Sequence, residues 1–180
     1  MFPKAHAAAY VMMAWRVAYC KIHYPLEYYT AYFSIRAKGF DYEKICLGPE
    51  RFRSELKFLR ENADRLSEAE SDTLRDMRLA EEMFARGFEF LPIDLSRAKA
   101  QRFQILDGKI MPSLSSVAGM GEKAAQDLER AAAQGPFLSK EDLIQRARIS
   151  STLADTLARL GILGELPETN QLSFSDLDLL

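Results

Sequence analysis

The sequence has few of the residues that build disulfide frameworks or zinc sites. Among 180 residues there are only two cysteines, Cys20 and Cys46, and two histidines. Disulfide scaffolds and zinc sites need more such residues at short spacings, and no Cys-x-x-Cys pair is present. Both classes are therefore excluded, and we expect a cytoplasmic protein of a reducing compartment.

The sequence also lacks an excess of positive charge and an apolar run long enough for a membrane. Its formal net charge is −2, which argues against a protein that grips nucleic acid by charge alone. The apolar stretch 5–20 is shorter than the roughly 20 residues of a membrane span, and Arg16 would cost at least about 2.5 kcal/mol inside one. We therefore expect a buried helix of a soluble protein there, and no membrane partner.

Helical spacing of apolar residues dominates the rest of the chain. With 48% hydrophobic and 28% charged residues, the sequence can bury a core. Asp107-Gly108 between two short β-prone runs predicts a two-residue hairpin, and Phe88 to Ile93 suits an edge strand that Pro92 limits. The predicted fold class is mainly α with a small β-hairpin or sheet. The predicted segments are 1–40, 41–110, 111–166 and 167–180.

The stretch from Val117 to Lys123 predicts a tight Gly-x-Gly turn between two helices. Gly119 and Gly121 permit positive φ and the close approach of another backbone. A helix that begins near Glu122 points its unpaired N–H groups and the positive end of its dipole at the space beside the turn. Such a corner suits a phosphate, and it is typical of the helix-hairpin-helix motif. The candidate contacts to a nucleic-acid backbone are Gly119, Met120, Gly121 and Lys123.

The alternative interpretation of this turn is a plain corner between two helices that binds nothing. The binding hypothesis requires main-chain amides beside Met120 that are neither engaged within the chain nor shielded from solvent. A second helix pair follows, with Ser139 and Ser150 as predicted N-caps. Its turn, 147–150, has no glycine, so we expect it to support the first unit, with Arg146 or Arg148 as a possible side-chain contact to phosphate.

The stretch 1–40 is basic and rich in tyrosine. Basic and aromatic side chains together can clamp and stack nucleotides, or the tyrosines can fill a helical core with their hydroxyl groups at its edge. The basic residues are Lys4, Arg16, Lys21, Arg36 and Lys38, against the single acid Glu27. The tail 167–180 lacks helical periodicity and is predicted to be mobile. Its short apolar peptide suits a partner's groove, and a frayed terminus that binds nothing is the alternative.

Several of these segments, in this order, resemble one known family. The likeness covers essentially the whole chain and points to the C-terminal end of the bacterial replicative DNA polymerase III alpha subunit, a C-family polymerase, most closely the PolC type. The matching segments are Phe2 to Tyr10, His23 to Pro25, Tyr32 to Arg36, Ile93 to Leu95, Val117 to Lys123, Gly135 to Leu143, and Asn170 to Ser173.

The resemblance implies a role for each segment. Segment 1–40 is similar to the last part of the helical fingers, 41–110 to a helical connector with a small β element, and 111–166 to a tandem helix-hairpin-helix domain that binds duplex DNA. The tail 167–180 implies docking to the ring-shaped sliding clamp through Gln171, Leu172, Ser173 and Phe174. This peptide departs from the family's usual Gln-Leu-x-Leu-Phe ending, which leaves Asp176 to Leu180 as the alternative docking peptide.

Lys4 and His6 resemble the family's fingers motif, which implies contact with the phosphates of an incoming nucleotide or of the template. Two basic side chains at a helix N-terminus favour an anion there. A basic residue at that end is unfavourable for the helix itself, so an acidic partner is expected. A carboxylate of the same protein is the alternative to a phosphate.

The catalytic carboxylates of a polymerase are missing. Phosphoryl transfer to a primer needs carboxylates that hold two metals about 3.5–4 Å apart, and the only Asp-x-Asp is Asp176-Leu177-Asp178 in the tail. We therefore expect a fragment or split product of a longer chain that has no cofactor of its own, does not polymerise DNA alone, and leaves Mg²⁺ to a palm domain elsewhere. The alternatives are a stand-alone helix-hairpin-helix accessory protein and a helical protein-interaction domain.

Overall fold

The computed structural model of the protein describes residues 3–169. Within this range the chain is mainly α, with a small antiparallel sheet, which confirms the predicted fold class. None of the helices in this range is both long and apolar enough to span a membrane. The elements are α1 (Lys4–His23), α2 (Pro25–Ile35), α3 (Tyr42–Cys46), α4 (Pro49–Glu61), α5 (Glu68–Ala85), β1 (Gln104–Leu106), β2 (Lys109–Met111), α6 (Glu122–Ala132), α7 (Lys140–Ala147) and α8 (Ser151–Arg159), with 3₁₀ turns at Ala63–Arg65 and Leu114–Ser116.

Local sequence fixes most helix starts. The Asp41 carboxylate accepts hydrogen bonds from the amides of Glu43 and Lys44 at 2.9 and 3.2 Å, which caps α3. The pattern Ser67-x-x-Glu70 predicts a capping box at the start of α5, and the box is formed, with Ser67 and Glu70 satisfying each other's amides. Pro25 begins α2 at a position where its missing N–H costs nothing.

The end of α2 differs from the prediction. Lys38 followed by Gly39 is a conventional pattern for a helix end and predicts the stop there, but the helix ends at Ile35. Gly39 instead allows the chain to pass directly against α5, since a Cβ there would lie 2.2 Å from the Thr73 nitrogen. The Gly39 amide donates to the buried carboxylate of Asp76 at 2.8 Å. This contact through space carries no helical signal in the sequence.

The predicted hairpin at Asp107-Gly108 is confirmed. Both residues have positive φ, 53° and 74°, and the strands pair with Ile105 opposite Ile110. The predicted edge strand at Phe88–Ile93 is reduced to one parallel bridge, between Phe90 and Ile110. Pro92 has no amide to donate, so pairing cannot continue past it.

Two hydrophobic clusters share this hairpin. The first core packs α2, α4 and α5 together through residues that include Tyr29, Phe33, Leu56, Met77 and Met83. The second core joins α6, α7 and α8 through residues that include Leu128, Leu143, Ala154 and Leu157. Ile110 belongs to the first core and Met111 to the second, because successive strand residues point to opposite faces.

Helix α1 is the main departure from the sequence-based expectation. It was predicted to be buried, yet none of its residues is, and Trp15 keeps 75% of its surface exposed. Its C-terminal end is fastened by the Lys21 ammonium, 2.6 Å from the Glu82 carboxylate, and by the Arg86 guanidinium, which donates to the Lys21 carbonyl. The described part of the chain supplies no layer to cover the apolar residues of α1.

The first residues of the tail contact the start of α7. The amides of Lys140 and Glu141 donate to the carbonyls of Pro167 and Glu168 at 2.8 and 3.1 Å. These two carbonyls satisfy helix donors that have no intrahelical partner. The docking peptide predicted at Gln171 to Phe174 lies outside the described residues.

Candidate nucleic-acid interface

The Gly-x-Gly turn lies between the 3₁₀ turn Leu114–Ser116 and α6, as predicted. Gly119 has φ +80°, a region that costs a side-chain-bearing residue conformational energy. The side chain of Met120 is buried in the second core, and its amide donates to the Val117 carbonyl at 3.0 Å. The Met120 amide therefore closes the turn and is not available to a ligand.

The neighbouring amides are open. Within residues 3–169, the N–H groups of Gly119, Gly121, Glu122 and Lys123 have no hydrogen-bond acceptor in the protein, and all four residues are exposed. Gly121 is the N-cap of α6 and provides no side-chain cap. Three of these four donors stand at the positive end of an eleven-residue helix. The binding hypothesis requires amides beside Met120 that are unbonded and open to solvent, and these four amides meet that requirement.

Nothing inside the protein requires a glycine at position 121. Its φ and ψ are −66° and 158°, which any residue can adopt, and a Cβ built there meets no atom within 4 Å. Serine, threonine, asparagine or aspartate would stabilise the helix start better. A glycine at this position leaves open space beside the free amides, which suits the close approach of a phosphate.

The free hydrogen-bond donors at this turn belong mainly to the main chain rather than to side chains. A cleft of about 450 Å³ lies beside it, lined by Phe40, Asp41 and residues 115–121. Lys123 is exposed and forms no ion pair with any residue in the range 3–169, but Glu122 precedes it. The formal side-chain charge on these two residues cancels, in keeping with the net charge of −2.

Small and apolar residues of α6 form its buried face. Ala125, Leu128 and Ala131 are buried in the second core, whereas Ala124 is only half-buried. They pack with Leu143 and Ala147 of α7 in that core. Small residues on α6 let the two helices approach closely and hold the turn on a rigid base.

The second turn, between α7 and α8, is built differently. Arg148 takes a left-handed conformation, with φ 52° and ψ 38°, at the position where a helix end usually has glycine. The Ser150 hydroxyl then accepts from the Leu153 amide at 3.2 Å and caps α8. Arg148 is exposed and has no charged partner in the described part of the chain.

Arg146 has a structural role that its position in the sequence did not indicate. Its guanidinium donates to the carbonyls of Ala131, Gly135 and Pro136 at 2.6, 3.0 and 2.9 Å, which satisfies acceptors at the C-terminal end of α6 and just beyond it. It also pairs with Asp142. These contacts engage the guanidinium, so of the two arginines only Arg148 is left for a phosphate.

Glu129 is a second anchor that the sequence did not reveal. Its carboxylate accepts from the Ala100 amide at 2.7 Å and lies 3.1 Å from the Lys99 ammonium. Burial raises the pKa of Glu129, but the Ala100 amide and Lys99 outweigh it and hold that pKa below its ordinary value. The contact joins α6 to the chain before the hairpin, across a sequence separation that periodicity cannot detect.

The structure places Lys4 and His6 in the first turns of α1, apart from the Gly-x-Gly turn on α6. Lys4 is exposed, and no carboxylate between residues 3 and 169 forms an ion pair with it. The His6 ring contacts the Tyr10 ring at a centroid distance of 4.5 Å. In this same range, no three His, Cys, Asp or Glu side chains gather into a group that could hold a metal.

The tyrosines of segment 1–40 divide between the two interpretations. Tyr29 and Tyr32 of α2 contribute to the first core, and their hydroxyls donate to Glu82 and Asp76 at 3.0 and 2.9 Å. Burial first, and these hydrogen bonds second, raise the pKa of both phenols to about 12. The tyrosines of α1 are instead exposed, so core filling explains α2 and not α1.

Comparison with known proteins connects these features to a family. Residues 87–172 match the family model of the helix-hairpin-helix motif, a range that contains the hairpin and helices α6 to α8. The chain is 46% identical over 98% of its length to DNA polymerase III PolC-type of Streptococcus agalactiae serotype III (strain NEM316) and of Streptococcus suis (strain 98HAH33). It is 44% identical over the same share to that of Streptococcus thermophilus (strain LMG 18311).

The chain spans 12% of the length of these relatives. The resemblance seen in the sequence is thereby confirmed, and it extends over helices of both cores as well as over the helix-hairpin-helix region. The similarity is too high and too continuous to reflect a shared helical architecture alone. The chain belongs to the PolC-type DNA polymerase III family, of which it matches one short stretch.

Proposed function

We propose that this chain is the part of a PolC-type replicative DNA polymerase that holds the backbone of duplex DNA without reading its sequence. The observation that carries the proposal is the set of unbonded amides at Gly121, Glu122 and Lys123, on exposed residues at the start of α6. Backbone N–H groups at a helix N-terminus bind phosphate oxygens and carry no base specificity. Gly119 and the Lys123 ammonium complete the site.

The contact is expected to be weak in isolation. One turn reaches about two phosphates, so the logarithm of the binding constant should fall against the logarithm of salt concentration with a slope of about −2. Arg148 in the second turn adds at most one further contact. Such a site suits a polymerase that must slide along its product, with tight attachment supplied elsewhere.

The enzymatic activity belongs to the longer protein. We propose that the chain corresponds to its C-terminal end, works with the remainder of the polymerase chain in the cytoplasm, and does not polymerise DNA alone. Phosphoryl transfer would use Mg²⁺ held by carboxylates of a palm domain outside this sequence. Lys4 and His6 would then face the phosphates of a nucleotide or of the template.

Helix α1 supports this place within a longer protein. Its exposed side chains include Val11, Met12, Met13, Trp15 and Ile22, and large contiguous apolar surfaces mark sites of protein contact. We propose that the remainder of the polymerase covers α1. Such a cover would bury a helix that is apolar on most sides.

We also propose that the tail docks the sliding clamp through Gln171, Leu172, Ser173 and Phe174. A short peptide with apolar side chains at fixed spacing suits a hydrophobic groove. Deletion of residues 171–180 should abolish binding of the chain to the clamp and leave duplex binding unchanged. Undiminished clamp binding by the truncated chain would assign the clamp contact to another part of the protein.

The decisive test of the proposed function removes one donor without disturbing the fold. Gly121→Pro is suited to this because φ at position 121 is −66°, within the range that proline imposes. We expect this variant to keep its stability and to bind a labelled duplex less tightly than the wild type in a fluorescence-anisotropy titration at low salt. Ser151→Pro, which removes the first amide of α8, is the matched control and should bind normally.

Other outcomes separate the remaining interpretations. Equal duplex affinity for both proline variants and the wild type would refute a phosphate site at this turn. Absence of duplex binding by the wild type at low salt would leave a helical protein-interaction domain. Tight binding by the isolated chain, with a steep salt dependence, would instead indicate a stand-alone accessory protein.

A further inference from the structure

We infer that a cleft on the first core binds single-stranded nucleic acid, at a site separate from the Gly-x-Gly turn. This α5 cleft has a volume of about 440 Å³ and lies between the Tyr32 ring, the 3₁₀ turn at Ala63–Arg65 and one face of α5. Its volume falls within the roughly 300–1,000 Å³ of small-ligand sites in proteins. Neither the helix-hairpin-helix match nor the proposed duplex contact includes it.

The floor of the cleft is apolar. Leu66, Leu74 and Leu79 line it, together with the Tyr32 ring. Tyr32 is held in place because its hydroxyl donates to the buried Asp76 carboxylate at 2.9 Å. The floor therefore presents fixed apolar surface, on which an unpaired base can stack.

The rim of the cleft is cationic. Arg78 is exposed and forms no ion pair with any residue from 3 to 169, and the Arg75 side chain is 59% exposed although it contacts Asp72. Both arginines line the cleft beside Ser71. Guanidinium groups are weakly hydrated and match the geometry of phosphate oxygens, so two of them at one rim favour a phosphodiester.

Among the described residues that line the cleft, Glu82 is the one acid, and it is paired with cations of the protein. Glu82 lies 2.6 Å from the Lys21 ammonium and 3.0 Å from the Arg86 guanidinium. Asp76 accepts from Tyr32 and from the Gly39 amide. Among the described residues that line the cleft, the two guanidinium groups of Arg75 and Arg78 therefore outnumber the one carboxylate, Glu82, which Lys21 and Arg86 already pair.

An apolar floor with a cationic rim favours a single strand over a duplex as the ligand. A duplex offers phosphates but keeps its bases stacked inside, so it cannot use the leucine and tyrosine surface. A single strand offers phosphates and free base faces together. An acidic apolar peptide has comparable chemistry, and it is the alternative that the experiment must reject.

The experiment measures fluorescence anisotropy of a labelled oligothymidylate against the whole 180-residue chain at low salt. Arg78→Glu should weaken binding by about 5- to 10-fold, the scale of one reversed phosphate contact. Arg78→Ala should make the salt slope shallower by about 0.7, the value for one contact to a single strand. Arg53→Glu and Arg53→Ala are the controls, since Arg53 is also exposed but lines a different cleft.

Ser71→Glu places a carboxylate at an exposed position that lines the same cleft. It should weaken oligothymidylate binding to a similar degree. Urea unfolding of each variant separates loss of binding from loss of fold. Equal effects of the Arg78 and Arg53 variants, or no oligothymidylate binding by the wild type, would overturn the inference. If the chain binds a labelled peptide with the sequence of residues 170–180 and does not bind the oligonucleotide, the cleft is a site for an acidic peptide instead.

Oligothymidylate binding at the α5 cleft should be independent of duplex binding at the Gly-x-Gly turn. Gly121→Pro should leave oligothymidylate binding at the α5 cleft unchanged, and Arg78→Glu should leave Gly121-dependent duplex binding unchanged. If Gly121→Pro abolishes both activities, the cleft has no binding of its own and the inference fails while the proposed function stands.

Discussion

The two turns of the helix-hairpin-helix region solve the same geometric problem in different ways. Each reverses the chain between short helices through one residue with positive φ, Gly119 in the first and Arg148 in the second. The second turn caps its next helix with the Ser150 hydroxyl, whereas the first has Gly121 and no cap. A capped helix start has used one of its free donors, and an uncapped one has kept them all.

This difference supports the proposal that the first turn, rather than the second, holds the ligand. The second turn has a non-glycine residue in the left-handed region and a hydroxyl cap that stabilises the start of α8. The first leaves the start of α6 less stable than it could be and keeps the adjoining surface clear. The glycine forgoes only a few tenths of a kcal/mol relative to a serine cap, and in return the helix start keeps all its free donors.

The largest effect should come from the residues with positive φ. Gly119→Val places a β-branched residue at φ +80° and should destabilise the protein by about 2 kcal/mol. Arg148→Gly removes strain in the second turn but adds freedom to the unfolded chain, so the net gain should be about 0.5 kcal/mol. Urea unfolding measures both; a loss for Arg148→Gly as large as that for Gly119→Val would contradict the comparison.

Charge reversal should separate the turns in duplex binding. Lys123→Glu places a second carboxylate beside the open amides and should weaken duplex affinity by about 10-fold, with a salt slope shallower by about 0.9. Arg148→Glu should have a smaller effect, since its turn has a capped helix behind it. Anisotropy titrations over a salt series provide the test, and a larger effect at Arg148 would transfer the main phosphate contact to the second turn.

The stability that the contact between α3 and α8 contributes should depend on pH. Glu43 of α3 accepts two hydrogen bonds from Arg159 of α8, at 2.6 and 2.9 Å, and one from Arg51. The Arg159 hydrogen bonds lower the pKa of Glu43 from 4.5 to about 2. A pKa that is lower in the folded state stabilises the fold above pH 4.5 and loses that contribution as the pH falls toward 2.

Because Arg159 and Arg51 are about half exposed, at 56% and 45%, solvent screening reduces this contribution to about 1 kcal/mol. Glu43→Gln should remove it at neutral pH and flatten the acid limb of a plot of unfolding free energy against pH. Glu89→Gln is the comparison variant, since Glu89 forms one ion pair, with Lys109, and should change the profile less. Identical pH profiles for Glu43→Gln and the wild type would show that the link contributes no stability.

The smallest effect is expected when the N-cap residues of α6 and α8 are exchanged. Gly121→Ser should stabilise α6 by a few tenths of a kcal/mol and weaken duplex binding, because its hydroxyl occupies a donor and the space beside it. Ser150→Gly should cost a few tenths and leave duplex binding unchanged. Thermal unfolding and anisotropy on the same samples test the pair, and unimpaired duplex binding by Gly121→Ser would show that the glycine does not serve a ligand.

Signals that act over a few residues were predictable. Asp41, the Ser67–Glu70 capping box, Asp107-Gly108 and the Gly-x-Gly turn each act through contacts within about four positions, and the structure forms all of them. The roles of Arg146 and Glu129 were missed, because their partners lie up to 29 residues away. The engagement of the Met120 amide was missed because turn closure depends on torsion angles that glycine spacing does not specify.

The sequence by itself determined a mainly helical chain, its helix starts, its hairpin, its glycine turn and its family, because each of these depends on local chemistry or on a pattern read along the chain. Only the tertiary structure decided that Gly39 lies against α5, that Arg146 donates to the carbonyls at the C-terminal end of α6, and that α1 is exposed. Those outcomes depend on which surfaces meet in space, and burial requires a partner that periodicity alone cannot supply.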